Sequence, residues 1–168
     1  KYKDKIGYYI SEKDKGIYDA MNKGVRFSTG DWINFVNAGE LFMDGAITNI
    51  IDNITDDKLI YKFLIQTEGG EIRRERAHLL YLSRRMLNHQ GLIYSRRALA
   101  NSFDSSLKII GDFKHLLEFK LWKGVVYIDA PIARYLGNGV AAKRDSVLLN
   151  WRERSSVLTW KNVGLLTS

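Results

Sequence analysis

Seven of the twelve arginines lie between Arg73 and Arg97. A guanidinium is planar, permanently charged and forks two N–H donors onto one oxyanion, so this density suits phosphate better than lysine would. At helical spacing Arg73, Arg74, Arg84 and Arg85 share one arc with Tyr81, and Ile72, Leu79, Leu82, Met86 and Leu87 share the other. Pairing with Glu71 and Glu75 would instead make the basic arc an ordinary solvated face. Lys143 and Arg144, just after Gly137-Asn138-Gly139, form a second phosphate-contact candidate built from backbone N–H groups and two cations. A plain turn is the alternative there. The strand–GxxxxGK[ST]–helix context of a P-loop is missing, so no nucleotide site is read from this stretch.

Other chemistry finds little support. The three histidines are His78, His89 and His115. His78 and His89 stand eleven positions apart, roughly 16 Å along a helix, and cannot share a metal. No cysteine is present, which removes thiolate zinc sites, disulfides and a Cys nucleophile. Serine, aspartate and histidine are too scattered to suggest a triad. The expectation is no catalytic residue, no metal and no cofactor.

Composition sets the frame. The 168 residues are 45% apolar, enough for a substantial core. The net charge of +7 is uneven. Residues 1–70 hold 9 basic and 11 acidic residues, and residues 71–168 hold 17 and 8. That asymmetry points to a polyanionic partner met by the second half. No apolar run reaches the roughly 18–20 residues of a membrane span. The lack of cysteine fits a reducing compartment, cytoplasmic or nuclear.

The elements that would position these residues read as follows. Ile6–Ile10, Ile17–Ala20 and Val25–Ser28 suggest short strands, and Asp31 a cap for a short helix through Asn37. Ala46–Ile54 has helical spacing of isoleucines, with a hairpin at Asp44-Gly45 as the alternative. Lys58–Thr67 is a strand candidate. Glu71–Gln90 is the clearest amphipathic helix. Leu92–Tyr94 is a short strand. Ser95 caps a helix over 96–103, and Ser106 caps a second, longer one. A strand follows at 125–129. Two strands, 146–152 and 156–160, carry Trp151, Arg152, Arg154 and Trp160, an interleaving that suits single-stranded nucleic acid or a half-buried hairpin. Phe119 and Trp122 would stack on bases or pack against the chain's own strands.

Residues 79–129 resemble the helix-turn-helix or winged-helix DNA-binding unit. Leu99 and Phe103 match its inward positions, Ala100 its small residue, and Ile110 and Phe113 the buried face of its second helix. The strand Val125–Asp129 resembles the one that follows in winged helices. The resemblance implies that Ser105, Ser106, Lys108 and Asp112 face base edges and that Arg96 and Arg97 touch the phosphate backbone. Arg84 and His89, separated by four residues, also resemble the motif of HEPN-type ribonucleases, which would imply RNA cleavage in a dimer.

The expected fold is α+β. A strand-rich part over 1–70 precedes a basic helical unit with a small C-terminal β element over 71–168. The expected function is non-catalytic nucleic-acid binding, with DNA favoured over RNA, in transcription control or a related process. The expected contacts are Arg73, Arg74, Arg84, Arg85, Arg96, Arg97, Ser105, Ser106, Lys108, Asp112, Lys143 and Arg144. No membrane partner is expected, and homodimerisation is left open. The alternatives are a protein-interaction module for an acidic partner and the HEPN-like ribonuclease.

Overall fold

The computed structural model describes residues 5–77, 79–82, 85–118, 120–136 and 146–158. One mixed sheet organises them. Its strands are β1 (Trp32–Asn34), β2 (Leu41–Phe42), β3 (Ile60–Thr67), β4 (Ile72–Arg73), β5 (Leu92–Ser95) and β6 (Val125–Tyr135). The order is β1-β5-β3-β6-β2, with β4 paired to β3. β3 is the centre. Every residue from Ile60 to Ile65 is buried, the pattern of a strand covered on both faces. Along one edge it pairs in parallel with β6. Along the other it pairs antiparallel with β5 at its start and β4 at its end. Pro131, in β6, stands opposite Leu64 where the register shifts. Such an irregularity accommodates a residue that has no N–H to give the ladder.

Two cores flank the sheet. On one face, α1 (Ile17–Phe27) and α4 (Gly111–Glu118) bring Tyr18, Met21, Phe113, Leu116 and Leu117 against Ile60, Leu92 and Tyr94. On the other, α2 (Ala46–Asn53) sets Ala46 on Tyr61, Phe63, Ile65, Ile132 and Ala133. Each large side chain sealed this way contributes roughly 1.5–3 kcal/mol. A short helix, α3 (Leu79–Leu82), and α5 (Ser146–Val157) complete the regular structure. Among the described residues no helix is long and apolar enough to cross a membrane.

The strand at β3, the helix at α2 and the strand at β5 form where the residue pattern places them. Several other expectations are corrected. Residues 17–27 are one helix, not two strands, because Tyr18 and Met21, three apart, both enter the core. Trp32–Asn34 is a strand, not a helix. The helix expected over Glu71–Gln90 does not form. The chain turns back at Gly70, where a φ of 85° suits glycine, and β4 follows. Among the described residues of this region only Leu79–Leu82 is α-helical. The winning interaction is tertiary. Glu75 is 5% exposed and binds Lys62 Nζ at 2.9 Å, a constraint no helical wheel contains. The C-terminal pair of strands is also corrected within its described part: 146–157 is a helix that buries Glu153 and Val157, four apart.

The helix-turn-helix centre of the expected fold is absent. Ser95 caps only a 3₁₀ turn, Arg96–Leu99, its hydroxyl accepting from Ala98 N at 3.2 Å. Ser106 caps no helix: Asp104 closes a turn there, its carboxylate accepting from Ser106 N and Oγ. α4 starts five residues after Ser106 and is buried at Asp112, Phe113, His115, Leu116 and Leu117. A helix sealed into the core cannot lie in a groove of DNA. The strand after it is no wing, since it runs parallel to β3 inside the sheet.

Candidate functional site

A cleft of about 660 Å³ opens among α1, the β4–α3 segment, the turn at His89-Gln90, the loop before α4, and α5. Asp112 lies in its lining, on the first turn of α4, and is only 4% exposed. Its position is built from three directions. Gly111 lets the first turn of α4 close on α1: a Cβ there would meet the Tyr18 ring at 2.7 Å. Tyr18 OH lies 2.6 Å from Ile109 O and 3.0 Å from Asp112 Oδ1, so its one proton serves that pair of acceptors. Phe113 N donates to the same Oδ1 at 2.9 Å. On the other side of the carboxylate, His89 Nδ1 stands 3.9 Å from Oδ2.

Burial pushes the Asp112 carboxyl above the usual carboxylate range, against the opposing pull of His89 and of the hydrogen bonds from Phe113 and Tyr18. Burial also raises the Tyr18 and Tyr94 hydroxyls, and the Asp112 charge adds to both shifts. A carboxylate held by donors yet taken out of water is a candidate proton acceptor.

α5 is tied to this site by one carboxylate. Glu153 accepts from the backbone N–H groups of Lys108, Ile109 and Ile110 at 2.8, 3.0 and 3.3 Å. The next residue, Arg154, lays its guanidinium 4.8 Å from the centre of the Phe113 ring and donates to Leu82 O at 2.6 Å. Burial lowers the Arg154 pKa, and Asp112 opposes that shift.

The wall from β4 to His89 has its own anchor. Lys62 and Glu75 are 2% and 5% exposed and pair at 2.9 Å. Glu75 also accepts from Asn88 N at 2.9 Å and Asn88 Nδ2 at 2.6 Å. Desolvation lowers the Lys62 pKa although Glu75 raises it. Gly91 makes room for this pair, since a Cβ would fall 2.5 Å from Lys62 Nζ and 2.6 Å from Phe63 O. Among the described residues no three His, Asp or Glu side chains converge as a metal-holding group.

The cleft gathers five of the twelve residues expected to bind nucleic acid: Arg73, Arg74, Arg85, Lys108 and Asp112. The others are elsewhere. Arg96 is a structural strut that donates to Ser28 O at 2.8 Å and to Gly30 O at 2.7 Å. Arg97 donates to Asp56 O at 2.5 Å. Ser105 and Ser106 form an exposed turn away from the cleft lining. Arg84, Lys143 and Arg144 lie outside the described residues, as do Phe119, Trp160, the Trp122 side chain and the glycine turn at 137–139. The sequence reading overlooked Tyr18, His89 as a partner of Asp112, and Arg154 as a cleft residue. Tyr18 and Asp112 are 94 positions apart, and no local pattern connects them.

Comparison with known proteins gives this geometry a family. The model described as Glycosyl transferase family 2 matches residues 1–124. The chain belongs to that family. It is 29% identical over 94 residues to the PGL/p-HBAD biosynthesis glycosyltransferases of Mycobacterium bovis and Mycobacterium tuberculosis, a match covering 51% of this chain and 35% of theirs. The fold is that of TarS from S. aureus, residues 1–349, solved in complex with UDP-GlcNAc. The TM-score is 0.65 at 13% identity, covering 82% of this chain and 44% of that one. The same protein in complex with UDP superposes at a TM-score of 0.60 and 14% identity, covering 80% and 45%. The match thus spans about a third of the length of the curated relatives.

These findings overturn the functional expectation. A glycosyltransferase family and fold replace the helix-turn-helix DNA-binding protein and any part in transcription control. Nucleic acid is withdrawn as the partner. The protein-interaction module and the HEPN-like ribonuclease find no support either.

Proposed function

We propose that the chain transfers a sugar from a nucleoside diphosphate donor to an acceptor hydroxyl, and that Asp112 is the base. One observation carries the reading: a buried carboxylate with a raised pKa lines a cleft that also bears arginines. Family membership supplies the reaction class, and the ligands of the TarS complexes support a nucleotide-sugar donor.

The chemistry follows from the parts. The acceptor oxygen forms a bond to the anomeric carbon. The bond from that carbon to the diphosphate breaks, and its electron pair leaves on the phosphate oxygen. The hydroxyl proton passes to Asp112. His89 and Tyr18 favour the ionised carboxylate, and burial makes it a stronger base than a carboxylate in water. Arginine side chains of the cleft offset the charge that develops on the departing diphosphate.

The test begins with binding. UDP, GDP, CDP and dTDP are titrated into the protein by calorimetry, followed by the corresponding sugar nucleotides with detection of released diphosphate. Binding of one nucleotide, with slow release of diphosphate to water or to an added alcohol, supports the reading. Absence of binding by all four rejects it.

A further inference from the structure

Glu153 reaches the candidate base from outside residues 1–124, the stretch that the family model matches. It sits on α5, which Val157 seats in the core with Leu149 packed alongside. Its buried carboxylate does not line the cleft. It turns instead to the loop before α4 and accepts from three successive backbone N–H groups.

The peptide group between Ile109 and Ile110 is gripped at both ends. Its N–H donates to Glu153 Oε2 at 3.3 Å, and its C=O accepts from the Tyr18 hydroxyl at 2.6 Å. The N–H and C=O of a planar trans peptide point in opposite directions, so Glu153 and Tyr18 hold it from opposite sides. The N–H groups of Lys108 and Ile109, at 2.8 and 3.0 Å from the same carboxylate, keep that peptide from turning. The Tyr18 hydroxyl has one proton and a second acceptor, Asp112 Oδ1, at 3.0 Å. The place of the Ile109 carbonyl therefore sets how that proton is divided between carbonyl and carboxylate. The next residue of α5, Arg154, lies against Phe113, the residue after Asp112. The segment from Lys108 to Phe113 is thus braced by α5 on both sides of the base.

We propose that Glu153 is a positioning residue for Asp112: it holds the Ile109–Ile110 peptide so that its carbonyl and the Asp112 carboxylate share the Tyr18 proton. This rests on the reading of Asp112 as the base of sugar transfer. It adds a residue that acts through Tyr18 and touches no substrate.

The experiment follows the carbon-13 resonance of the Asp112 carboxyl through a pH titration of the ligand-free protein. Glu153→Gln keeps the shape but sets an amide nitrogen, which cannot accept, against one of the N–H donors. Glu153→Asp keeps both acceptors and shortens their reach. Either change frees the Ile109 carbonyl, releases the Tyr18 proton to Asp112 and lets water in. The midpoint of Asp112 should therefore fall toward the ordinary aspartate value in both. His89, Tyr94 and Arg154, the other groups that interact with Asp112, are unchanged in these variants. In a Tyr18→Phe background no proton is left to share, and Glu153→Gln should shift the midpoint much less. The proposal falls if the midpoint stays in place in either variant that folds, or if Glu153→Gln moves it equally with and without the Tyr18 hydroxyl. Where a sugar nucleotide is turned over, Glu153→Gln should lower kcat by about tenfold or more and leave the nucleotide KM within about twofold, since a misplaced base costs rate and not binding. An unchanged kcat also overturns it. If no sugar nucleotide is turned over, the sugar-transfer reading fails by itself, and the titration still decides whether Glu153 holds the Tyr18–Asp112 pair.

Discussion

Asp112 pays for its position in stability. Its carboxyl is raised in the folded state, so the protonated form is the one the fold prefers. The stability this group contributes is complete below the ordinary aspartate pKa and is lost as pH rises through the higher, folded value. Asp112→Asn keeps an acceptor for Tyr18 and removes the buried charge. Thermal unfolding should therefore find the variant more stable than wild type at pH 8, by about 2–4 °C for each 1 kcal/mol relieved, and equal to it at pH 4. Equal melting at both pH values would mean that the carboxylate is not penalised. The same shift governs catalysis. A base works only when deprotonated, so the rate should climb with pH along a limb whose midpoint lies above the usual carboxylate range. Gly111 belongs to this scale as well. Gly111→Ala drives a methyl into the Tyr18 ring; it should cost about 1–3 kcal/mol in a denaturant titration and slow transfer as well.

The cleft wall from β4 to His89 hangs on one buried ion pair. Removing Glu75 leaves Lys62 charged and unpaired in the centre of the sheet, which should cost about 3–5 kcal/mol. Lys62→Met with Glu75→Gln removes both charges together and should cost clearly less than Glu75→Ala alone. Urea unfolding of the three proteins tests this, and a double variant that loses as much as Glu75→Ala would deny the coupling. This pair also explains why the wall was illegible in the sequence. The arginine and leucine spacing of 71–90 favours a helix locally, but Lys62, on β3, and Gly91, in the turn before β5, oppose it. β3 was legible because its near-continuous apolar run matches its burial, and α2 because its isoleucines recur at helical spacing, although Ala46 is its buried residue and Ile47 and Ile51 are exposed. α1 was not, since Ile17–Ala20 and Val25–Ser28, on either side of Asn22-Lys23-Gly24, read as two separate short strands.

At the scale of the molecule, β3 beside β6 in parallel places β4, the turn before β5 and the start of α4 around one cleft. The uneven charge was visible in the composition, and five of the cations of the second half line the cleft. Charge alone could not distinguish a nucleic-acid backbone from the phosphates of a small donor. That distinction depends on concavity and on the buried carboxylate beside the cations, both of which arise from contacts between residues far apart in the chain. Asp112 was singled out in the sequence for a base-edge contact, and its burial on the first turn of α4 takes it out of reach of any base edge. Arg96 illustrates the opposite error, an arginine that serves backbone carbonyls of the loop before β1.

The most direct measurement is the rate at which nucleoside diphosphate is released from a bound sugar nucleotide by wild type and by Asp112→Asn, with nucleotide affinity measured in parallel. A base that removes the acceptor proton contributes about 10²–10⁴ in rate. The variant should lose a factor in that range and bind the nucleotide within about twofold of wild type. Release at the wild-type rate by Asp112→Asn would contradict the account.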